Sequence, residues 1–186
     1  MSPRIPVPKA PGLALLALFV LTACQQPAPP SAAPECPQIA IVQDASELTL
    51  FTPGPGRDLT DVTLEAKVAE FGGFCETDID EDTGTGEVEI DMRVLFEATR
   101  GPASISRQQV VSYFVAISDR EENILARQVF DITLEFEGNR NRLGVVEDLR
   151  QRIPLRAGQL GEDFSVFIGF QLTDEQLRFN RTKLGR

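Results

Sequence analysis

Four carboxylates stand where calcium chemistry would need them. Asp78, Asp80 and Asp82 occupy alternate positions, and Glu89 falls at position 12 counted from Asp78. Hard oxygen donors at positions 1, 3, 5 and 12 are the ligand pattern of a calcium-binding loop. The sixth position is Thr83, where such a loop takes glycine for its sharp turn, and the flanking residues alternate like strands rather than helices. Two readings stay open. One is a looser calcium site at a loop tip, with calcium as the only ion the chain would hold and no other cofactor. The other is a solvated hairpin tip whose charges resist edge-to-edge pairing.

Histidine is absent from the chain. Its absence removes Ser-His-Asp and Cys-His catalysis and histidine-based metal sites. Neither a Gly-x-Ser-x-Gly elbow nor a phosphate-cradling Gly-Lys loop is present. The triplet Asp82-Thr83-Gly84 matches that of aspartic proteases, but those sites need two such carboxylates sharing a proton, and one triplet is found. Glu87, Glu89, Asp91, Glu97, Asp131 and Glu135 could supply the carboxylate pair of a glycosidase. They alternate with apolar residues, so they read as a solvated sheet face. The expectation is a protein that is not an enzyme and works by contact.

The N-terminus carries its own chemistry. Arg4 and Lys9 precede an apolar run from Gly12 to Leu21, which leads into Leu21-Thr22-Ala23-Cys24. A basic start, a short apolar core and a small-residue cleavage site read as a signal peptide over residues 1–23. The run is too short to cross hydrocarbon about 30 Å thick, which takes about 20 residues. Leu21 to Cys24 resembles the lipobox of bacterial lipoproteins. The resemblance implies that Cys24 is acylated, becomes the mature N-terminus and fixes the chain in a bilayer. One acyl chain anchors marginally, and a second makes attachment stable. Gln25 stands where an aspartate would retain such a protein at the inner membrane, so the implied address is the periplasmic face of the outer membrane. The competing reading is a secreted protein with a chance cysteine at its cleavage site.

With Cys24 assigned to lipid, Cys36 and Cys75 remain as an even pair in an oxidising compartment, where disulfides persist. Their bond would close a loop of 38 residues. A reactive or zinc-binding thiol pair is the alternative, and a lone pair without histidine makes a poor zinc site.

Beyond residue 23 the chain holds 16 basic and 28 acidic side chains. Such a surface repels phosphate backbones, so nucleic acid is not an expected partner. The charge is uneven: residues 24–138 carry 7 basic and 22 acidic groups, and residues 139–186 carry 9 and 6. Either the tail forms a basic patch for an acidic partner, or strands from both halves interleave and pair opposite charges across a sheet.

Residues 24–35 form a lipidated cysteine followed by a Pro/Ala-rich tether, extended at about 3.1 Å per residue where polyproline-like. Residues 36–186 then read as one domain. Val62, Leu64, Ala66 and Val68 alternate with polar residues, as do Val88 to Phe96, Phe130 to Phe136 and Phe164 to Leu172. Weaker strands fall near 39–42, 47–52, 110–117 and 148–155, separated by turn residues at 53–56, 78–86, 100–102, 119–123 and 138–142. Seven to eight strands with one buried face predict an all-β fold. The expected form is an antiparallel β-sandwich, immunoglobulin- or fibronectin-like, with a small barrel as the alternative. The outward faces are charged, which excludes an outer-membrane barrel. Thr173 and Gln176 make a capping box for a short C-terminal helix from about Asp174 to Asn180.

Tyr113-Phe114, Phe164 and Phe170 read as core or pocket lining. Phe167 differs, because the alternation points it outward beside Gly169. An aromatic ring on a polar face marks a possible contact surface. The stretches Cys36 to Val42, Pro53 to Asp61 and Gly169 to Thr173 together resemble a family of Gram-negative envelope lipoproteins without an assigned activity. That resemblance implies no site residues. The leading expectation is a membrane-anchored module that binds another envelope protein, with a calcium- or small-ligand-binding sandwich built on loop 78–89 as the second.

Overall fold

The structure is a computed structural model, and it describes residues 36–185. The signal peptide, Cys24 and the tether lie outside the described residues. Eight strands form two four-stranded sheets. The strands are β1 (Gln38–Ile41), β2 (Glu47–Phe51), β3 (Val62–Ile79), β4 (Gly86–Arg100), β5 (Gln108–Ser118), β6 (Ile124–Glu135), β7 (Arg142–Leu155) and β8 (Ser165–Phe170). One sheet has the order β1-β8-β5-β6 and the other β2-β3-β4-β7. No closed barrel forms, and the expected β-sandwich is what the chain builds.

The alternating apolar residues explain the packing. Leu64, Val88, Val94, Leu134, Val166 and Ile168 have essentially no solvent exposure. They meet between the sheets with Phe96, Tyr113 and Phe170, whose rings contact one another at centroid separations of 4.7 and 5.7 Å. Each such side chain contributes about 1.5–3 kcal/mol by leaving water.

One strand pair departs from the antiparallel expectation: β1 runs parallel to β8, with Ala40 opposite Phe167. Parallel neighbours need a long crossover. Here the six intervening strands supply it, since β1 begins the sandwich and β8 ends it.

Two strands run further than the alternation suggests. In β3 the register with β4 slips between Val68 and Glu70. The extra residue is a bulge, which reverses the facing of everything after it. Phe71 and Cys75 then point inward against the core, and Phe74 points out. In β6, residues 124–129 are exposed on both faces apart from their pairing with β5.

The helix α1 (Asp174–Lys183) begins at the expected capping box. The Thr173 hydroxyl accepts from the Gln176 amide at 3.3 Å, and the Gln176 side chain accepts from the Thr173 amide at 2.8 Å.

Candidate functional site

The two outer faces of the sandwich differ in chemistry. On the β2-β3-β4-β7 sheet, cross-strand charges pair. Arg93 meets Asp148 at 2.8 Å, Arg150 meets Asp91 at 2.7 Å, Arg152 meets Glu89 at 2.7 Å, and Lys67 meets Glu97 at 2.8 Å. Their carboxylate partners hold the Arg150 and Arg152 guanidinium pKa values above the ordinary arginine range, Asp91 acting on the first and Glu89 on the second. Arg150 and Arg152 of the basic tail thus pair with the acidic first half across one sheet, as expected for interleaved strands, and Arg93 pairs in the opposite sense with Asp148. Each exposed pair contributes little alone.

The opposite face carries few charges. One cross-strand row reads Ala40, Phe167, Ala116 and Arg127. The next reads Gly169, Phe114 and Val129, then Ser112 with Asp131, and then Val110 with Thr133. Val110 and Val129 are 59 % and 44 % exposed. Phe114 and Phe167 are half-buried. The Arg127 guanidinium lies 4.5 Å from the Phe114 ring centroid and donates to Gln171, so its stem and plane cover part of the ring. Aromatic and branched side chains, small alanines and one stacked arginine make a flat apolar face with a polar rim.

The other sequence candidates fall as follows. Cys24 lies outside the described residues. Cys36 and Cys75 form the expected disulfide, with Cα atoms 5.9 Å apart. Phe167 does face outward, but its alanine neighbours on both sides sit at half-buried or buried positions, so it is a ring set into the face rather than a projecting anchor.

The four carboxylates of the acidic loop do not converge. Asp78 sits opposite Glu87 in the β3–β4 ladder. Asp80 Oδ1 accepts from the Asp82 amide at 3.0 Å and from the Thr83 amide and hydroxyl at 2.8 and 2.9 Å. Those bonds, the Thr83 amide first, hold its carboxyl below the ordinary aspartate range. Gly84, at φ +67°, closes the turn. Glu89 is engaged by Arg152 and Arg150 on the ladder face. Among the described residues no group of three or more acidic, cysteine or histidine side chains is arranged to hold a metal ion. Asp82-Thr83-Gly84 belongs to this same turn. Glu87, Glu89, Asp91 and Glu97 lie on the charged sheet, and Asp131 and Glu135 on the other.

Sequence reasoning missed two features. Val110 and Val129 gave no signal because their strand neighbours hide the alternation. Phe74, 61 % exposed, stands beside Gly72 and Gly73 in a groove of about 630 Å³ on the charged face. The bulge in β3 turned it outward, and only the Gly-Gly pair before it hinted at a bare patch of backbone. Comparisons of the chain with family models, with curated proteins and with solved structures each find no match.

Proposed function

We propose that this chain is a lipid-anchored envelope protein that acts by binding, without catalysis, and that the outer face of the β1-β8-β5-β6 sheet is its docking surface. Cys24 carries the lipid, residues 25–35 are the tether, and the domain faces the periplasm from the outer membrane. The partner is another envelope protein with an apolar surface of its own. The single observation behind this reading is the asymmetry of the sandwich. One face is a ladder of paired charges, which is costly to desolvate. The other presents Phe167, Phe114, Val110 and Val129 with one arginine stacked among them. Aromatic side chains and arginine are the residues enriched at the centres of protein interfaces, where charged residues are depleted.

The test is cross-linking in intact cells followed by mass spectrometry. The unaltered chain, Cys24→Ser and Phe167→Glu are compared. A discrete envelope protein captured by the unaltered chain, and lost with Phe167→Glu while the Cys36–Cys75 disulfide still forms, supports the reading. Equal capture by Phe167→Glu removes the face from consideration. Equal capture by Cys24→Ser removes the anchor from the mechanism.

A further inference from the structure

The edge strands of the two sheets are not protected alike. An unpaired edge invites another strand, and natural proteins blunt it by shortness, charge or proline. Strands β1 and β2 span only four and five residues. Strand β7 is long but carries Arg142, Glu147, Asp148, Arg150, Arg152 and Pro154. Strand β6 has 12 residues, no proline and three charges, and its first six residues are exposed on both faces.

The backbone of β6 is directed in a way that can be read from two bonds. The Phe136 amide donates to the Arg107 carbonyl at 2.8 Å, and the Gln171 amide donates to the Ser112 carbonyl at 2.8 Å. The first turns the even-numbered residues Phe130, Ile132 and Leu134 toward β5. The second shows that the Ser112 backbone bonds to the other side, toward β8, while only its hydroxyl reaches Asp131, donating to the carboxylate at 2.5 Å. Backbone groups alternate along an antiparallel strand. Arg127, Val129 and Asp131 therefore point their amides and carbonyls at the open edge.

We propose that β6 pairs antiparallel with β6 of a second copy of this chain, on a two-fold axis through Val129. In that register Val129 meets Val129, and Arg127 of each copy meets Asp131 of the other. All three are hydrogen-bonded pairs, and the opposite charges lie directly across from one another. A slip of the register by one hydrogen-bonded step places Arg127 or Asp131 opposite Val129 instead. The match makes a self-complementary interface with closed two-fold symmetry. It joins two four-stranded sheets into one of eight strands and makes the two apolar faces continuous. The inference stands on the edge of β6 alone and does not depend on the docking of a foreign partner.

The experiment is oxidative cross-linking of the full-length chain in membranes, read on a non-reducing gel. Hydrogen-bonded pairs have Cα atoms about 5.5 Å apart, within the roughly 4.4–6.8 Å that a disulfide spans. Val129→Cys is expected to give a covalent dimer absent from the unaltered chain, and Gln128→Cys is expected to give none. Adding Arg127→Asp to Val129→Cys should abolish the dimer band, and adding Asp131→Arg as well should restore it. No dimer from Val129→Cys, in a chain that keeps its Cys36–Cys75 disulfide, overturns the proposal. So does equal cross-linking by Gln128→Cys. A folded charge-swapped chain that fails to recover the band overturns the register.

Discussion

The ring of Phe114 lies against the bare backbone of Gly169, its partner across the β5–β8 ladder. A β-carbon on Gly169 would stand 3.2 Å from Phe114 Cε1 and Cζ and 2.9 Å from the Ala45 β-carbon. The residue is held from both sides, by the ring and by the short 3-10 turn Gln43–Ala45. Gly169→Ala must displace one of them. We expect a loss of about 1–3 kcal/mol, the usual cost of overpacking, in urea denaturation. Gly72→Ala is the control: its β-carbon would meet nothing within 4 Å, and the change is expected to stay within about 0.5 kcal/mol.

The disulfide joins Cys36, two residues before β1, to the second half of β3, across a sequence separation of 39. Its main effect is on the unfolded chain. Replacing Cys36 and Cys75 together with serine should cost roughly 3–4 kcal/mol in the chain-entropy model. The midpoint of denaturant unfolding measures it, and reduction of the unaltered protein should lower that midpoint by a similar amount. A midpoint insensitive to reduction would mean that the pairing of β1 with β8, together with packing of Pro37 and Ile39, holds β1 in place without the disulfide.

The sequence made the sandwich legible wherever one face of a strand is buried. Val88 to Phe96 and Val62 to Val68 alternate cleanly because each inward residue meets the opposite sheet. Legibility ends where that physics ends. Residues 69–79 hid because a bulge reverses their facing, and residues 124–129 hid because neither face is covered. The parallel pairing of β1 and β8 is a long-range relation that no local pattern encodes. For the candidate site, Phe167 was readable as an outward aromatic residue. The apolar face around it was not, since Ala40, Ala116, Phe114 and Val129 come together only through strand order. The spacing of Asp78, Asp80, Asp82 and Glu89 suggested convergence, but a hairpin spreads along its ladder what a helix-flanked loop would gather.

Tyr113 is the only tyrosine of the chain and is fully buried. Among the described residues its hydroxyl has no hydrogen-bond partner. Burial, and after it the charge of Glu147 on the inward row of β7, push its pKa upward from the ordinary phenol value. The folded state therefore favours the neutral phenol. That contribution is intact below the unfolded value of about 10 and is lost as pH rises through the folded one. Phenolate absorbance should appear only together with alkaline unfolding, in a single transition. Tyr113→Phe removes an unpartnered buried hydroxyl, so it should be neutral or stabilising by up to about 1 kcal/mol and should shift unfolding to higher pH. Phenolate signal rising before unfolding would show that the hydroxyl reaches solvent in the native state.

Asn180 fixes the last helix to the sandwich. It is 4 % exposed, and its side-chain amide donates to the carbonyls of Asp44 at 2.9 Å and Glu47 at 2.7 Å. Around it, Arg181 pairs with Asp44 and Lys183 with Glu47 at the surface. The physics ranks these contacts. Removing the buried donor leaves two partly buried carbonyls unsatisfied, at about 1–3 kcal/mol, whereas an exposed ion pair contributes at most about 1 kcal/mol. Asn180→Ala should therefore destabilise more than Arg181→Ala, and should raise amide hydrogen exchange across 174–183 while the core of β4 stays protected. Salt should weaken the effect of Arg181→Ala and leave that of Asn180→Ala unchanged, because the buried amide is not screened. The reverse order would mean that surface charge, not the buried amide, seats the helix.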